Sequence, residues 1–370
     1  MSEYQYYEFQ AVDRSLKKAE QDKVRALSSR AEVNARSARF VYNYGDFRGD
    51  AEALMWTYYD AMLYLANGGT RRLLLRFSRL DVDAETWAEY AVEDMIGIRS
   101  RNEALLLELI FQDVDQGAWL DGEGWLWSLV ELRRDIRHGD LRLLYLAWLK
   151  ACCEQGAASD EAVEPPIPAG LGELSEAHRA FIELFDLDPD LVAAAAQASP
   201  PLPDRIEQPT AGDFEKSLVT LLDNVKDRLT RAAQDGTLAD VDIDLGRELR
   251  ATLGIAPVRA PGQRTVAQLR ELADTMAQQR AEAERQRKEA ERLSALEALA
   301  QREPEVWQEV EQLCERKVAR AYDEAAALLT QLNELAQLRG ESIVPRLTPL
   351  LQRWKSRPAL LKRLQAQGLI

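Results

Sequence analysis

A stretch of almost wholly polar sequence at residues 278–292 is the feature that most constrains how this chain can fold. Acidic and basic residues alternate along it and only alanines interrupt them, so it has no apolar face to bury in a core. It also lacks the apolar a and d positions that a coiled coil needs. The pattern predicts a solvated spacer helix held by ion pairs between residues four apart. Hydrophobic cores must then form on either side of it, and 370 residues suffice for two or three domains.

The first 155 residues combine strand and helix patterns. The predicted strands cover residues 4–12, 39–44 and 72–77, with a β-hairpin at residues 96–99 and 104–111. A helix is predicted over residues 51–65, from a stripe that includes Leu54, Tyr58 and Met62. Two further helices, over residues 124–137 and 140–153, would close the domain. The patterns predict an α+β head domain at residues 1–155 with a mixed, mainly antiparallel sheet.

Prolines and small residues divide the rest of the chain. Residues 156–210 form a predicted proline-rich linker with a short helical pair, and residues 211–257 a predicted helical segment. The polar spacer helix is assigned to residues 258–303. An apolar period of 3.6 residues predicts a helical-hairpin module of the general tetratricopeptide kind at residues 304–370, without a second repeat elsewhere. The predicted fold class is therefore α+β and predominantly helical.

The sequence favours a cytoplasmic protein. It contains no run of about 18 apolar residues that could span a bilayer. Its N-terminus lacks the basic start and apolar stretch of a signal peptide. Neighbours such as Cys152 and Cys153 rarely bridge each other, so these residues and Cys314 are predicted to be buried free thiols in a reducing compartment. We predict no membrane partner.

Charge is spread unevenly along the chain. The net charge is −15, but residues 258–370 contain 19 Lys and Arg against 16 Asp and Glu, a net charge of +3, which leaves −18 to residues 1–257. From Pro345 onward there are basic residues and no acidic ones. This distribution argues against broad coating of nucleic acid and predicts one local basic surface at the end of the chain.

Residues that could carry chemistry are few. The chain has 2 histidines, and neither has a second histidine or a cysteine at metal-ligand spacing. Phosphate-binding glycine motifs are absent too. His138 lies between Asp135 and Asp140 at a helix junction and could act as a general base, but no nucleophile accompanies it, and capping of helix ends explains the charges better. We therefore predict no catalytic, cofactor-binding or metal-binding residue, and an enzyme is the least supported class.

Two groups of residues could form interaction surfaces. Aromatic residues crowd the first strand, with Tyr4 and Tyr6 on one face and Tyr7 and Phe9 on the other, and aromatic residues are common interface anchors. The basic end places an aromatic residue among cations, an arrangement that can grip phosphates and stack on a base. The alternative interpretation is that the apolar residues of this segment form a packed stripe and its charged residues are only solvated. The candidate interaction residues are Tyr4, Tyr6, Arg353, Trp354, Lys355, Arg357, Lys362 and Arg363.

Several sequence strings resemble a bacterial family of uncharacterised proteins. They are YYEFQAVDR (6–14), LSSRAE (27–32), YGDFRG (44–49), GGTRR (68–72), LRLLYLAWL (141–149) and EPPIPAGL (164–171). The end of the chain, from AYDEA (321–325) through RPALL (357–361), is also similar to the helical tails of some SWIM zinc-finger proteins, whose zinc ligands have no counterpart here. The resemblance implies a bacterial cytoplasmic origin and a multidomain layout, and it carries over no site residue.

These observations lead to two functional hypotheses. The first is a non-enzymatic interaction, scaffold or adaptor protein with a protein partner. The alternative is a nucleic-acid-associated accessory protein that binds through residues 345–370.

Overall fold

The computed structural model describes residues 4–45, 47–78, 82–112, 121–153, 160–202 and 258–370. The chain divides into two compact units, Met1–Ala277 and Gln278–Ile370. We call them the head and the helical unit. The predicted helical segment at residues 211–257 lies outside the described residues, as does the end of the predicted linker.

Antiparallel strands form one sheet in the head. In chain order they are β1 (Gln5–Gln10), β2 (Glu32–Val33), β3 (Ser37–Tyr42), β4 (Ala61–Ala66), β5 (Arg71–Ser78), β6 (Ile96–Arg101) and β7 (Ala104–Phe111). Their order across the sheet is β2-β3-β1-β4-β5-β7-β6. The predicted α+β class and the predicted hairpin, which is β6–β7, are confirmed.

Both faces of the sheet are covered, and each face has its own core. Phe9, Phe40 and Leu74 point to one face, where helices α1 (Lys18–Arg25) and α2 (Ala51–Thr57) lie. Tyr6, Leu63 and Leu107 point to the other face, as the two-residue period of a strand requires. Helices α4 (Trp125–Arg137), α5 (Arg142–Cys153), α6 (Glu176–Leu184) and α7 (Pro189–Ala196) belong to that second face, and α3 (Ala84–Ala88) packs near β6.

The predicted helix over residues 51–65 is wrong in its second half. Helix α2 ends at Thr57, and the chain continues as strand β4 from Ala61. β4 pairs with β1 on one side and β5 on the other, and both of its faces are buried. A strand buried on both faces has a continuous apolar sequence, which cannot be told from a buried helix by its period.

Helix α5 lies inside the head. Each residue from 141 to 150 is buried, including Arg142 and Lys150. Hydrogen bonds satisfy the charged groups of these two side chains. Arg142 Nη1 donates to the Glu173 carbonyl (2.8 Å), and Lys150 Nζ donates to the Asp186 carbonyl (3.3 Å). Among the described residues, no helix is both long enough and apolar enough to cross a membrane.

The head extends beyond the predicted boundary at residue 155. The described part of the predicted linker adds Ile167, Phe181 and Leu191 to the same core as the sheet. Strand β8 (Ile167–Pro168) pairs with β9 (Arg259–Ala260). These segments were predicted as a linker because of their prolines, but they are short connections between packed elements. The head core therefore includes residues on both sides of the interval 203–257.

An ion pair joins residues of the head that lie on either side of the interval 203–257 in the sequence. Arg264 Nε and Nη2 each lie 2.8 Å from an oxygen of Glu164, and the Tyr145 hydroxyl donates to the same carboxylate (2.6 Å). Burial raises the pKa of Glu164, but Arg264 and Tyr145 outweigh it and hold the pKa below its ordinary value. A paired carboxylate of this kind stays ionised inside the protein.

Helix α8 (Val266–Gln301) contains the predicted polar spacer. Its first turns contribute Val266, Leu269 and Ala273 to the head core. Residues 278–292 are exposed at every position. Ion pairs join residues four apart along this stretch, including Glu284 with Lys288 (2.7 Å). The solvated part is thus shorter than the predicted 258–303.

The helical unit has a core built from its own residues. After the end of α8 come α9 (Glu303–Glu315), α10 (Ala319–Leu338), α11 (Val344–Arg353) and α12 (Pro358–Ala366). α9 and α10 form a helical hairpin, and α12 packs against α10. Trp354, Val310 and Leu329 are fully buried in this core. The predicted helical end of the chain is confirmed.

Candidate functional site

A pocket of about 530 Å³ opens on the face of β1, β2 and β3 beside the first residues of α4. Its charged lining residues are Glu8, Glu32, Arg39 and Glu123. Three carboxyl groups therefore surround one guanidinium. We call it the acidic pocket.

Strand register brings three of these side chains into one row. Glu32 pairs with Arg39 across β2 and β3, and Arg39 pairs with Glu8 across β3 and β1. Directly opposite residues of antiparallel strands have neighbouring side chains on the same face. The row Glu32–Arg39–Glu8 is thus a consequence of how the three strands pair.

Hydrogen bonds within the acidic pocket are unequally shared. Arg39 donates to Glu32 through Nε (3.1 Å) and also contacts Glu123. Glu8 accepts from the Tyr6 hydroxyl (2.9 Å), and no ion pair of Glu8 occurs among the residues the structure describes. Burial raises the pKa of Glu8, and the Tyr6 hydrogen bond and the Arg39 charge only partly offset this effect. Glu8 is therefore the carboxyl group with most to gain from an added cation.

The wall of the acidic pocket depends on Tyr6 and Gly122. Tyr6 is only 1% exposed, and Gly122, at φ +86°, lies so close that an added Cβ would fall 2.5 Å from the Tyr6 ring. Only glycine suits this close approach and this backbone conformation. The turn that holds Gly122 leads directly into α4, which starts after Gly124.

Trp127, in the first turn of α4, is 74% exposed. The other tryptophans that the structure describes are buried or half-buried. Exposed tryptophan is unusual, because its large apolar surface normally stays away from water, and it is a preferred anchor in protein interfaces. Glu123 and Gly124 of the acidic pocket lie four and three residues before it.

The predicted aromatic surface is only partly exposed. The side chains of Tyr4 and Tyr6 belong to one face of the sheet, and those of Tyr7 and Phe9 to the other, as predicted. Tyr6 is buried, however, and Tyr4 is half-buried with its hydroxyl donating to the Asp121 carbonyl. These tyrosines support the wall of the acidic pocket, and they offer little exposed surface for binding a partner.

A second, larger cleft of about 580 Å³ lies near the ends of β5 and β6. Its wall contains Asp13 and Arg133, whose oxygens and nitrogens meet in two contacts of 2.6 Å. Burial raises the pKa of Asp13, but Arg133 and two other guanidinium groups outweigh it, so the pKa lies below its ordinary value. The neighbouring Arg76 pairs with the buried Asp60. These charges pair with each other, which is why we assign them to the fold.

The basic end of the chain is largely paired within the helical unit. Arg353 lies 3.1 Å from Glu311 and 2.8 Å from Glu315, and Arg363 pairs with Asp323. Arg357 donates to the Cys314 carbonyl. Trp354 is 0% exposed, so it cannot stack on a nucleobase in this fold. Arg353, Lys355 and Lys362 are the exposed members of the predicted set, and Arg353 is ion-paired.

The helix junction at His138 differs from its sequence interpretation. His138 is half-buried, with Nδ1 3.0 Å from the Arg134 carbonyl. The histidine beside the two aspartates is His178, which comes from α6. One ring nitrogen of His178 and one carboxylate oxygen each of Asp135 and Asp140 lie within 4.8 Å of one another. Sequence spacing gave no signal for this cluster, because its third member lies far along the chain.

Burial changes the proton affinity of this cluster. Burial raises the pKa of Asp135 to about 6, and the nearby Asp140 charge adds to the effect. Burial also lowers the pKa of His178 to about 4, against the opposing attraction of Asp140. His178 is therefore neutral at pH 7. Asp140 also caps α5, as predicted for this junction, since its Oδ1 accepts from the Arg142 amide (2.9 Å).

The cysteines that the structure describes fit the prediction of buried thiols. Cys152 and Cys314 are both buried. Burial raises the pKa of Cys314 to about 11. At neutral pH this thiol is protonated and unreactive.

No protein-family model, curated protein or solved structure matches this chain. The resemblances to a bacterial family and to SWIM zinc-finger tails therefore stay predictions.

Proposed function

We propose that this chain is a non-enzymatic adaptor whose head binds a basic segment of a partner protein in the acidic pocket. The observation that carries the proposal is the row Glu32–Arg39–Glu8 with Glu123 beside it, where three carboxyl groups meet one guanidinium. Arg39 is already engaged by Glu32 and Glu123. An incoming Lys or Arg side chain would meet Glu8, and its charge would relieve the excess of carboxylates.

Two further features support a protein as the partner. Trp127 offers a large exposed ring one turn along α4, and aromatic rings bind both apolar side chains and cations. The net charge of −18 on residues 1–257 would steer a basic partner toward the head and repel nucleic acid.

The proposal places the protein in the bacterial cytoplasm, in keeping with its sequence resemblance. The head would take the basic segment, and the helical unit would contribute a separate surface for a second partner. Residues 345–370 remain the alternative site for nucleic acid, although the pairing of Arg353 and Arg363 with acidic residues weakens that hypothesis.

The test is affinity capture of partners by the immobilised full chain from native lysate, at low and at high salt, with and without nuclease. The binding variants are Trp127→Ala and the double variant Glu8→Gln/Glu123→Gln. The matched control is Glu297→Gln, which removes one exposed carboxylate from α8. Each variant is checked for native circular dichroism first.

We expect a nuclease-resistant partner that high salt releases. Each binding variant should weaken capture by about 10-fold or more, as loss of an interface anchor does. Glu297→Gln should capture like the wild type. Equal capture by all variants would refute the acidic pocket as the site. Capture that disappears with nuclease would favour the basic end instead.

A further inference from the structure

We propose that the head binds one divalent transition-metal ion, of the zinc class, between Asp135, Asp140 and His178. The three residues come from the end of α4, the start of α5 and the first turn of α6. The ion would join three helix ends that the chain brings together only by folding. This site is separate from the acidic pocket and does not depend on the proposed function.

A hydrogen bond to Ser175 holds the imidazole ring of His178 in place. Nδ1 lies 2.7 Å from the hydroxyl oxygen of Ser175, the residue that caps α6. In the tautomer in which Nδ1–H donates to this oxygen, Nε2 is the unprotonated nitrogen, the form that binds metals. Ligating histidines commonly have their second nitrogen held by such a hydrogen bond.

Nε2 of His178 has no hydrogen-bond partner, although His178 is 0% exposed. A buried polar nitrogen without a partner costs free energy. Because a ring nitrogen of His178 lies within 4.8 Å of carboxylate oxygens from both aspartates, a single ion can bind all three groups. An ion bound at Nε2 of His178 would give this nitrogen the partner that it lacks.

The two carboxylates are likewise placed as ligands. The side chain of Asp135 accepts no hydrogen bond among the described residues, and it lies beside a second carboxylate. Asp140 is oriented by Arg142, whose Nε is 2.9 Å and Nη2 2.6 Å from Oδ2. Arg142 carries one positive charge and pairs with Asp140, so it does not neutralise both aspartates. Ligating carboxylates are usually held by such outer hydrogen bonds.

The donor set indicates the kind of ion. One imidazole nitrogen and two carboxylate oxygens suit Zn²⁺ and related borderline ions, whereas Mg²⁺ and Ca²⁺ prefer oxygen donors throughout. Zinc ligands lie about 3.4 Å apart in a tetrahedral site. The three groups would therefore move closer on binding, and water would occupy the fourth position.

The experiment measures zinc affinity of the metal-free full chain by competition with a chromophoric chelator. A cobalt absorption spectrum identifies the ligand type. Asp135→Asn and His178→Gln each remove one ligand. His138→Gln is the matched control, since it removes the other histidine at the same helix junction. Ser175→Ala tests the outer hydrogen bond. Circular dichroism verifies folding, and Asp135→Asn, which conserves shape, decides the case if His178→Gln does not fold.

We expect one zinc ion per chain. Asp135→Asn and His178→Gln should weaken binding by more than about 100-fold and Ser175→Ala by about 10-fold, because loss of an outer partner alone costs 10- to 100-fold. His138→Gln should bind like the wild type. The proposal is overturned if the wild type binds no zinc or if Asp135→Asn binds it unchanged. A thiolate-to-cobalt charge-transfer band would also overturn it, since the ion would then sit on cysteine.

Discussion

At the scale of single residues, Asp60 is a buried carboxylate that joins three segments of the head. It is 0% exposed and accepts hydrogen bonds from the amides of Val12 (2.7 Å) and Asp13 (2.9 Å). Arg76 of β5 pairs with its other oxygen. One side chain thereby fixes the end of the first strand segment, the start of β4 and the end of β5.

We expect Asp60→Ala to cost about 3 kcal/mol of unfolding free energy, because it leaves two backbone amides and one guanidinium without their buried acceptor. Urea unfolding of the full chain measures the loss. Asp22→Ala, which removes an exposed partner of Lys18 and Arg25, should cost less than about 0.5 kcal/mol. Similar losses in the two variants would show that Asp60 contributes no more than a surface charge.

Glu303 gives the helical unit a predictable pH dependence. It accepts from Arg339 (2.8 Å) and Arg346 (3.0 Å), and the hydrogen bond from Arg339 lowers its pKa. The carboxyl of an unfolded chain has a pKa of about 4.3. The stabilisation is therefore complete above that value and is lost as the pH falls through the lower pKa of the folded state.

We expect Glu303→Gln to destabilise residues 278–370 by about 1 kcal/mol at pH 7, and we expect this cost to shrink as the pH falls below about 4.3. Urea unfolding of the isolated helical unit at several pH values checks this. Glu297→Gln, whose carboxylate makes no ion pair among the described residues, should show no such trend. A cost for Glu303→Gln that is constant with pH would contradict the assignment.

At the scale of elements, the polar part of α8 should be dispensable for both cores. Ala283 lies in the exposed interval 278–292, so a proline there would break local helix without touching a core. We expect Ala283→Pro to reduce helical circular dichroism while the urea midpoints stay unchanged. Ala325→Pro, in the buried part of α10, should unfold the helical unit. A shifted midpoint for Ala283→Pro would mean that this stretch is packed after all.

Local sequence patterns predicted most of the helices and strands. The elements that they missed depend on contacts between distant parts of the chain. The β6–β7 hairpin follows from alternation and a polar turn within one short segment. β4 could not be predicted, because its apolar run becomes a strand only between β1 and β5. The predicted short helical pair is present as α6 and α7. The described residues 160–202 nevertheless belong to the head core and not to a linker, because prolines interrupt helices but do not prevent the segments between them from packing.

The candidate sites were less predictable than the fold. The row Glu32–Arg39–Glu8 requires the register of three strands, and no local spacing reveals that register. His178 joins Asp135 and Asp140 only after α6 packs on α4. From the sequence, only His138 could be considered beside these aspartates, because local patterns relate only neighbours in the chain.

At the scale of the whole molecule, the uneven charge acquires a structural explanation. Three of the basic residues after Pro345 form ion pairs with acidic residues of α9 and α10, namely Arg346, Arg353 and Arg363. Part of the acidic excess of residues 1–257 lines the acidic pocket, where three carboxyl groups meet one guanidinium. This contrast is why we assign partner binding to the head.

The measurement that tests this assignment most directly is a nuclear magnetic resonance titration of the full chain with a short Arg- and Lys-rich peptide. The indole N–H signal of Trp127 is assigned from its loss in Trp127→Phe. We predict that the peptide shifts this signal at low salt, that high salt reverses the shift, and that Glu8→Gln/Glu123→Gln reduces it strongly while Glu297→Gln does not. An unchanged Trp127 signal, or an equal shift in the double variant, would contradict the account.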